Sequence, residues 1–188
     1  MGGAVRLDLG AGHKHEDGWV RVDFAVDRKK CTLGGGVQEE GSALDPDVAA
    51  DLRCLPFPDN YADEVRAIHV IEHFQLWEVP DILAEWARVL KPGGHIALEC
   101  PCLDKIVKLM DVPNIPPYMT LWGLYGDPRL KDPLMMHHWC YGERHLAGLM
   151  QEAGLVKVYG STPKFHQPLR DMRLCGYKPE PARLVIPS

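Results

Sequence analysis

The chain has 188 residues, of which 46% are hydrophobic and 25% charged, and its formal net charge at pH 7 is −5. This composition indicates one globular domain, residues 1–188, with a substantial core. It argues against sequence-independent binding to a nucleic-acid backbone. No apolar stretch approaches the ~18 residues of a membrane span, and no basic segment followed by an apolar one opens the chain. We therefore expect a cytoplasmic domain without a membrane or nucleic-acid partner.

Cysteine spacing does not favour a metal site or a disulfide framework. The segments Cys100-Pro-Cys102 and His137-His138-Trp139-Cys140 could together bind zinc, but Cys-x-Cys is not the usual ligand spacing. We predict reduced thiols and no metal ligands. The six cysteines are Cys31, Cys54, Cys100, Cys102, Cys140 and Cys175.

The first half of the chain alternates apolar runs with turns. Residues 5–9 and 19–24 read as the first two strands, separated by a polar loop at 10–18 with no helical stripe. Residues 25–47, with three consecutive glycines, are predicted to form a mobile surface loop. Short strands are expected at 47–52 and 65–71.

The clearest helix follows the fourth strand. Its apolar residues recur at steps of three and four, and it is predicted to begin near Glu78 or Val79 because Pro80 fits only the first turn. The segment Lys91-Pro92-Gly93-Gly94 is predicted to end it, and residues 95–100 to form the fifth strand. The stripe consists of Leu76, Val79, Ile82, Leu83, Trp86, Val89 and Leu90.

The second half contains an interruption. Residues 103–140 hold five prolines and break the alternation, so they are predicted to be an insertion, helical only at 103–110. A helix at 143–153 and strands at 155–159 and 171–177 complete the fold, and the proline-containing tail is expected to be loosely held.

The organising feature is a glycine turn between two acids at strand ends. Gly10 and Gly12 follow the first strand and Asp23 ends the second, which is how an open parallel sheet forms a nucleotide-sized crevice. A dinucleotide fingerprint would need glycine at position 15, where His15 stands, and an acid ~20 residues on. Here Asp23 follows Gly12 by eleven residues. The spacing favours a ligand with a ribose but no phosphates.

In order along the chain, these motifs resemble the class I S-adenosylmethionine-dependent methyltransferases, and most closely a small bacterial and phage branch with a shortened first loop. The resemblance is good over residues 5–100 and loose over 136–178. It implies a Rossmann-like, doubly wound α/β sheet of seven strands in the order 3-2-1-4-5-7-6, with strand 7 antiparallel and helices on both faces. The motifs are Asp8-Leu9-Gly10-Ala11-Gly12, Asp23, Ala50-Asp51-Leu52, Leu55-Pro56-Phe57, Glu72-His73 and Val89-Leu90-Lys91-Pro92-Gly93-Gly94.

The resemblance also implies a set of cofactor-binding residues. The first motif would line the methionine moiety and ribose, Asp23 would bind the ribose hydroxyls, and Asp51 would meet the adenine amino group, which a carboxylate can accept from. Asp8 and Asp51 could instead cap turns. The implied set is Asp8, Gly10, Ala11, Gly12, Asp23, Phe24, Asp51, Leu52 and His69.

Catalytic residues are less defined by the pattern. Methyl transfer from a sulfonium needs alignment and exclusion of water, and a base only for a hydroxyl or a protonated amine. The candidates are Glu72, His73 and His138, with His137 and His145 nearby, and each could serve capping or packing instead. No Asn/Asp-Pro-Pro-Tyr/Phe motif follows the fourth strand, which disfavours methylation of nucleic-acid bases.

We thus predict in-line methyl transfer from S-adenosylmethionine to a small-molecule or glycan-type acceptor. Two alternatives remain: a cofactor-binding module that regulates without catalysis, and an NAD-dependent oxidoreductase. The insertion 103–140 would act as a lid that holds the acceptor, or would form the surface of a homo-oligomer.

Overall fold

A seven-stranded sheet forms the centre of the molecule. The computed structural model describes residues 3–12, 16–24 and 46–181. The strand order is β3-β2-β1-β4-β5-β7-β6; β7 runs antiparallel to β5 and β6, and the other neighbours are parallel. The predicted sheet order is therefore confirmed. The strands are β1 Arg6–Leu9, β2 Val20–Asp23, β3 Val48–Ala49, β4 Ala62–Ile68, β5 Leu90–Pro101, β6 Val156–Ser161 and β7 Asp171–Tyr177.

Helices occupy the connections. Within the described ranges, none is long and apolar enough to cross a membrane. The α-helices are α1 Val79–Val89, α2 Leu103–Met110, α3 Leu121–Tyr125 and α4 Glu143–Glu152, and 3₁₀ turns lie at Ile71–His73, Pro117–Met119 and Pro133–Met135.

Helix α1 covers the sheet with the predicted apolar stripe. Ile82, Leu83 and Trp86 are buried almost completely. The indole Nε1 of Trp86 donates to the backbone carbonyl of Leu52 at 2.9 Å. Because Leu52 follows β3, this bond joins the helix to the sheet edge next to the predicted cofactor site.

Helix α1 ends within two residues of its predicted end, but β5 begins five residues earlier than predicted. The helix stops at Val89, and Leu90 already pairs with Ala62 as the first residue of β5. Gly93, with φ +75, sits inside that strand, beside a register shift between Ala62 and Glu64. The Pro-Gly-Gly segment therefore forms an irregular first part of β5 and does not cap the helix. For the same reason β4 begins at Ala62, three residues earlier than predicted.

Other predicted elements lie close to the observed ones. Helix α2 and strand β7 have the predicted bounds, and α4 ends one residue early. Most of the predicted surface loop (25–45) and of the tail (182–188) falls outside the described residues.

The insertion packs against the turn that follows β4. The backbone N–H groups of His138 and Trp139 both donate to the carbonyl of Glu72, at 2.8 and 3.3 Å. The guanidinium of Arg170 donates to the carbonyl of Tyr118 at 2.8 Å, which holds the insertion from the β7 side. These bonds bring residues 118–139 to the carboxyl end of the sheet.

Candidate functional site

A cavity of about 340 Å³ opens at the carboxyl ends of β1 to β4. Its volume is in the range of small-molecule sites. Seven of the nine residues that the sequence assigned to the cofactor line it, together with residues of the β4 turn and of the insertion. The lining residues are Gly10, Gly12, Asp23, Phe24, Asp51, Leu52, Arg53, His69, Val70, His73, Phe74, Leu134 and Met135.

The glycine turn shapes the floor of the cavity. Gly10 and Gly12 have φ values of +68 and +56, which disfavour residues with a Cβ. A Cβ on Gly10 would lie 2.4 Å from a methyl group of Val70, whereas a Cβ on Gly12 would meet no atom of the described residues within 4 Å. Gly10 is thus required by packing, and Gly12 leaves backbone accessible to a ligand.

Asp23 lies at the tip of β2 with its carboxylate fixed. One oxygen accepts from the N–H of Gly12 and the other from the N–H of Phe24, both at 2.7 Å. A carboxylate offers about four acceptor positions, so capacity remains for two hydroxyl groups. The Phe24 ring beside it is 54% exposed, which leaves an apolar face free at the cavity.

Asp51 is joined to an arginine that sequence reasoning missed. Arg53 donates to both Asp51 oxygens, with a shortest distance of 2.8 Å, and also pairs with Glu78 at 3.1 Å. This hydrogen bonding lowers the pKa of Asp51, and burial opposes the shift. The Asp-x-Arg spacing around an Asx-type turn is the local pattern from which this contact could have been predicted. If Asp51 accepts from the adenine amino group as predicted, its carboxylate would accept from that group and from Arg53 at the same time.

His69 is held in a strained conformation beneath the cavity. Its φ of +56 is unusual for a residue with a side chain. Its ring lies 2.9 Å from Glu72 Oε1 and 3.1 Å from Asp171 Oδ2. Burial disfavours the charged ring, but the two carboxylates outweigh it and raise the pKa of His69 to about 9. The cationic ring therefore neutralises the two buried carboxylates, Glu72 and Asp171.

Asp8, although predicted to line the cofactor, does not line the cavity. The residue is buried, and its carboxylate accepts from the guanidinium of Arg66 at 2.7 Å. Arg66 also pairs with Glu16, and its guanidinium carbon lies 3.9 Å from the ring centre of Trp19. Ala11 is likewise buried and outside the lining. Asp8 therefore neutralises a buried arginine, a long-range contact that the local pattern does not contain.

The catalytic candidates divide into three positions. His73 lines the cavity, whereas Glu72 is 1% exposed and lies behind it. His138 is exposed, contacts the side chain of Gln75 at 3.2 Å, and is not among the residues that line the cavity.

The two other histidines considered lie in different surroundings. His137 stacks edge-on against His73 with ring centres 4.9 Å apart, and burial lowers its pKa. His145 packs between Trp139 and Tyr141. Of the five candidates, the structure thus brings Glu72, His73 and His137 together.

The family and the proteins that this chain resembles in the comparisons below are methyltransferases. A family described as a methyltransferase domain matches residues 30–98. A ubiquinone/menaquinone biosynthesis C-methyltransferase of Desulfotalea psychrophila is 31% identical over 126 residues, which are 67% of this chain and 42% of that protein. A demethylmenaquinone methyltransferase of Listeria welshimeri is 40% identical over 74 residues, 38% of this chain and 25% of that protein. The chain spans less than half the length of these relatives.

Solved structures agree on the fold. A methyltransferase of Methanosarcina mazei superposes with a TM-score of 0.61 at 16% identity, covering 94% of this chain and 92% of that one. One from Archaeoglobus fulgidus gives 0.59 at 18% identity, covering 94% and 87%. The chain therefore has the fold of S-adenosylmethionine-dependent methyltransferases, and a methyltransferase family model matches part of it.

Proposed function

We propose that this chain transfers the methyl group of S-adenosylmethionine to a small-molecule acceptor. The observation that carries the proposal is the single cavity at the strand ends, which gathers Gly12, Asp23, Asp51 and His69 from four separate connections. Parallel sheets of this kind bind ligands at that edge.

The residues present fit the cofactor. Open space above Gly12 admits a ligand against the backbone, and Asp23 has acceptor capacity for the ribose hydroxyls. The Phe24 ring would flank the adenine, and Leu52 would lie against its edge. When bound, the cofactor supplies a methyl group activated by a positively charged sulfur.

The acceptor side is formed by the β4 turn and the insertion. Phe74, Leu134 and Met135 line the cavity there and would exclude water from the reacting groups. We propose on this basis that residues 103–140 act as a lid over the acceptor. His73, the one base candidate in the lining, would accept a proton from a hydroxyl acceptor.

A transfer assay tests the proposal. Purified chain is incubated with methyl-labelled S-adenosylmethionine and a panel of phenols, quinone precursors and sugars, the first two because relatives are named for quinone biosynthesis. We expect label on at least one small molecule, lost in Asp23→Ala and retained in the surface control Asp81→Ala.

The other outcomes separate the alternatives. Cofactor binding without transfer to any acceptor would favour the regulatory module. Binding of NAD in place of S-adenosylmethionine would favour the oxidoreductase, and both results contradict the proposal.

A further inference from the structure

Three side chains meet at the junction between the β4 turn and the insertion. Glu72 and His73 belong to the turn Ile71–His73, and His137 belongs to the insertion. One potential ligand atom from each lies within 4.8 Å of those of the other two. Within the described part of the chain, no cysteine belongs to this group.

The carboxylate of Glu72 is buried without a hydrogen-bond donor. The residue is 1% exposed, and neither of its oxygens has a hydrogen-bond partner among the described residues. His69 forms an ion pair with Oε1 at 2.9 Å, so the oxygen that lacks both a hydrogen bond and an ion pair among the described residues is Oε2. Because buried carboxylate oxygens are costly to leave unsatisfied, a further partner for Glu72 is expected at this point.

Both histidines are oriented by backbone carbonyls. Nδ1 of His73 lies 3.1 Å from the carbonyl of Met136, and Nδ1 of His137 lies 3.0 Å from the carbonyl of Gly123. A carbonyl only accepts, so each Nδ1 carries a proton, and Nε2 is the ring nitrogen left to offer a lone pair to an ion. This arrangement, in which the second nitrogen is anchored to a carbonyl, is the one found for metal-bound histidine.

We propose that Glu72, His73 and His137 bind a divalent transition-metal ion such as Zn²⁺. Two imidazoles and one carboxylate form a donor set used for zinc and for ferrous iron. Ligands about 2.1 Å from a tetrahedral ion are ~3.4 Å apart. When the ion binds, the separations between the three ligand atoms would therefore shorten by up to roughly 1.4 Å.

An ion bound by these residues would contact both the β4 turn and the insertion. It would tie the insertion, through His137, to the end of β4. It would also lie at the acceptor side of the cavity, since His73 lines that cavity, and His73 would then be a ligand rather than a base. From the sequence we predicted no metal ligands, because only the cysteines and the segment around His137 were considered there. Glu72 and His73 were not considered as ligands.

Metal binding is measured on untagged full chain treated with chelator. Zn²⁺ alone is titrated by calorimetry, and Co²⁺ alone is followed by visible absorption. We expect one ion per chain, a d–d spectrum of nitrogen and oxygen ligands, and binding weakened at least ~100-fold in His137→Gln and in Glu72→Gln. The matched control is His138→Gln, which changes the adjacent, exposed histidine and should bind like the unmodified chain.

Three results would overturn the proposal. Zn²⁺ could bind the unmodified chain no more tightly than it binds His137→Gln, which would leave buried water as the partner of Glu72. The cobalt spectrum could show a thiolate charge-transfer band, which would assign the ion to cysteines. His138→Gln could lose binding as fully as His137→Gln. If a variant does not fold, the stoichiometry and cobalt spectrum of the unmodified chain still decide.

Discussion

The buried pair of Asp8 and Arg66 predicts that Asp8 matters for stability more than for cofactor binding. The two side chains are 7% and 6% exposed and lie 2.7 Å apart. Asp8→Asn keeps the volume but removes the charge that neutralises Arg66. Removing one partner of a buried ion pair costs ~3–5 kcal/mol, and we take the lower end because Glu16 and the Trp19 ring still contact the guanidinium.

A loss of ~3 kcal/mol corresponds to a melting temperature lower by about 6–12 °C in a chain of this length. The assay is urea and thermal unfolding, with the affinity for S-adenosylhomocysteine measured on the same samples. Asp59→Asn is the matched control, since Asp59 pairs with Arg88 at an exposed site and should cost less than ~1 kcal/mol. The double variant Asp8→Leu/Arg66→Met should recover most of the stability, because no buried charge is left unpaired and Glu16, which also loses Arg66, has a side chain that is 53% exposed.

The opposite pattern would refute this reasoning. If Asp8→Asn unfolds like the unmodified chain and weakens cofactor binding 100-fold, Asp8 contacts the ligand as the sequence resemblance implied.

Three further predictions follow from single contacts. Gly10→Ala should destabilise the chain by at least ~1–2 kcal/mol in urea unfolding, because of its positive φ and the 2.4 Å approach to Val70; unchanged stability would contradict the turn geometry. Trp86→Phe should cost ~1 kcal/mol beyond lost packing, since the Leu52 carbonyl loses its donor, and equal unfolding midpoints would contradict it. Arg53→Gln should raise the pKa of Asp51 toward 3.8 in an NMR titration, because the guanidinium hydrogen bonds hold it down; an unchanged pKa would contradict that cause.

The fold was predictable because its signals are local. The helical stripe around Trp86 and the alternation of strands and helices are each contained within short windows of sequence, and the resemblance supplied the sheet order. The start of β5 was misplaced because Gly93 and Gly94 serve a strand irregularity as readily as a helix stop. Local sequence does not reveal that the chain continues directly into β5.

The site was predictable only in part for a related reason. Residues at strand tips, such as Asp23 and His69, converge by topology once the sheet is known. Asp8 and Arg66 are 58 residues apart, and no pattern within either segment pairs them. The meeting of Glu72 with His137 depends in the same way on how the insertion folds back.

A calorimetric titration of S-adenosylhomocysteine into the unmodified chain, Asp23→Ala and the surface control Asp81→Ala tests the proposed cofactor site directly. We expect one site per chain, with affinity reduced ~100-fold or more in Asp23→Ala, since two hydrogen bonds to a charged group are lost at ~1.5–3 kcal/mol each, and unchanged in Asp81→Ala. No binding to the folded unmodified chain, or equal binding by all three proteins, would contradict it.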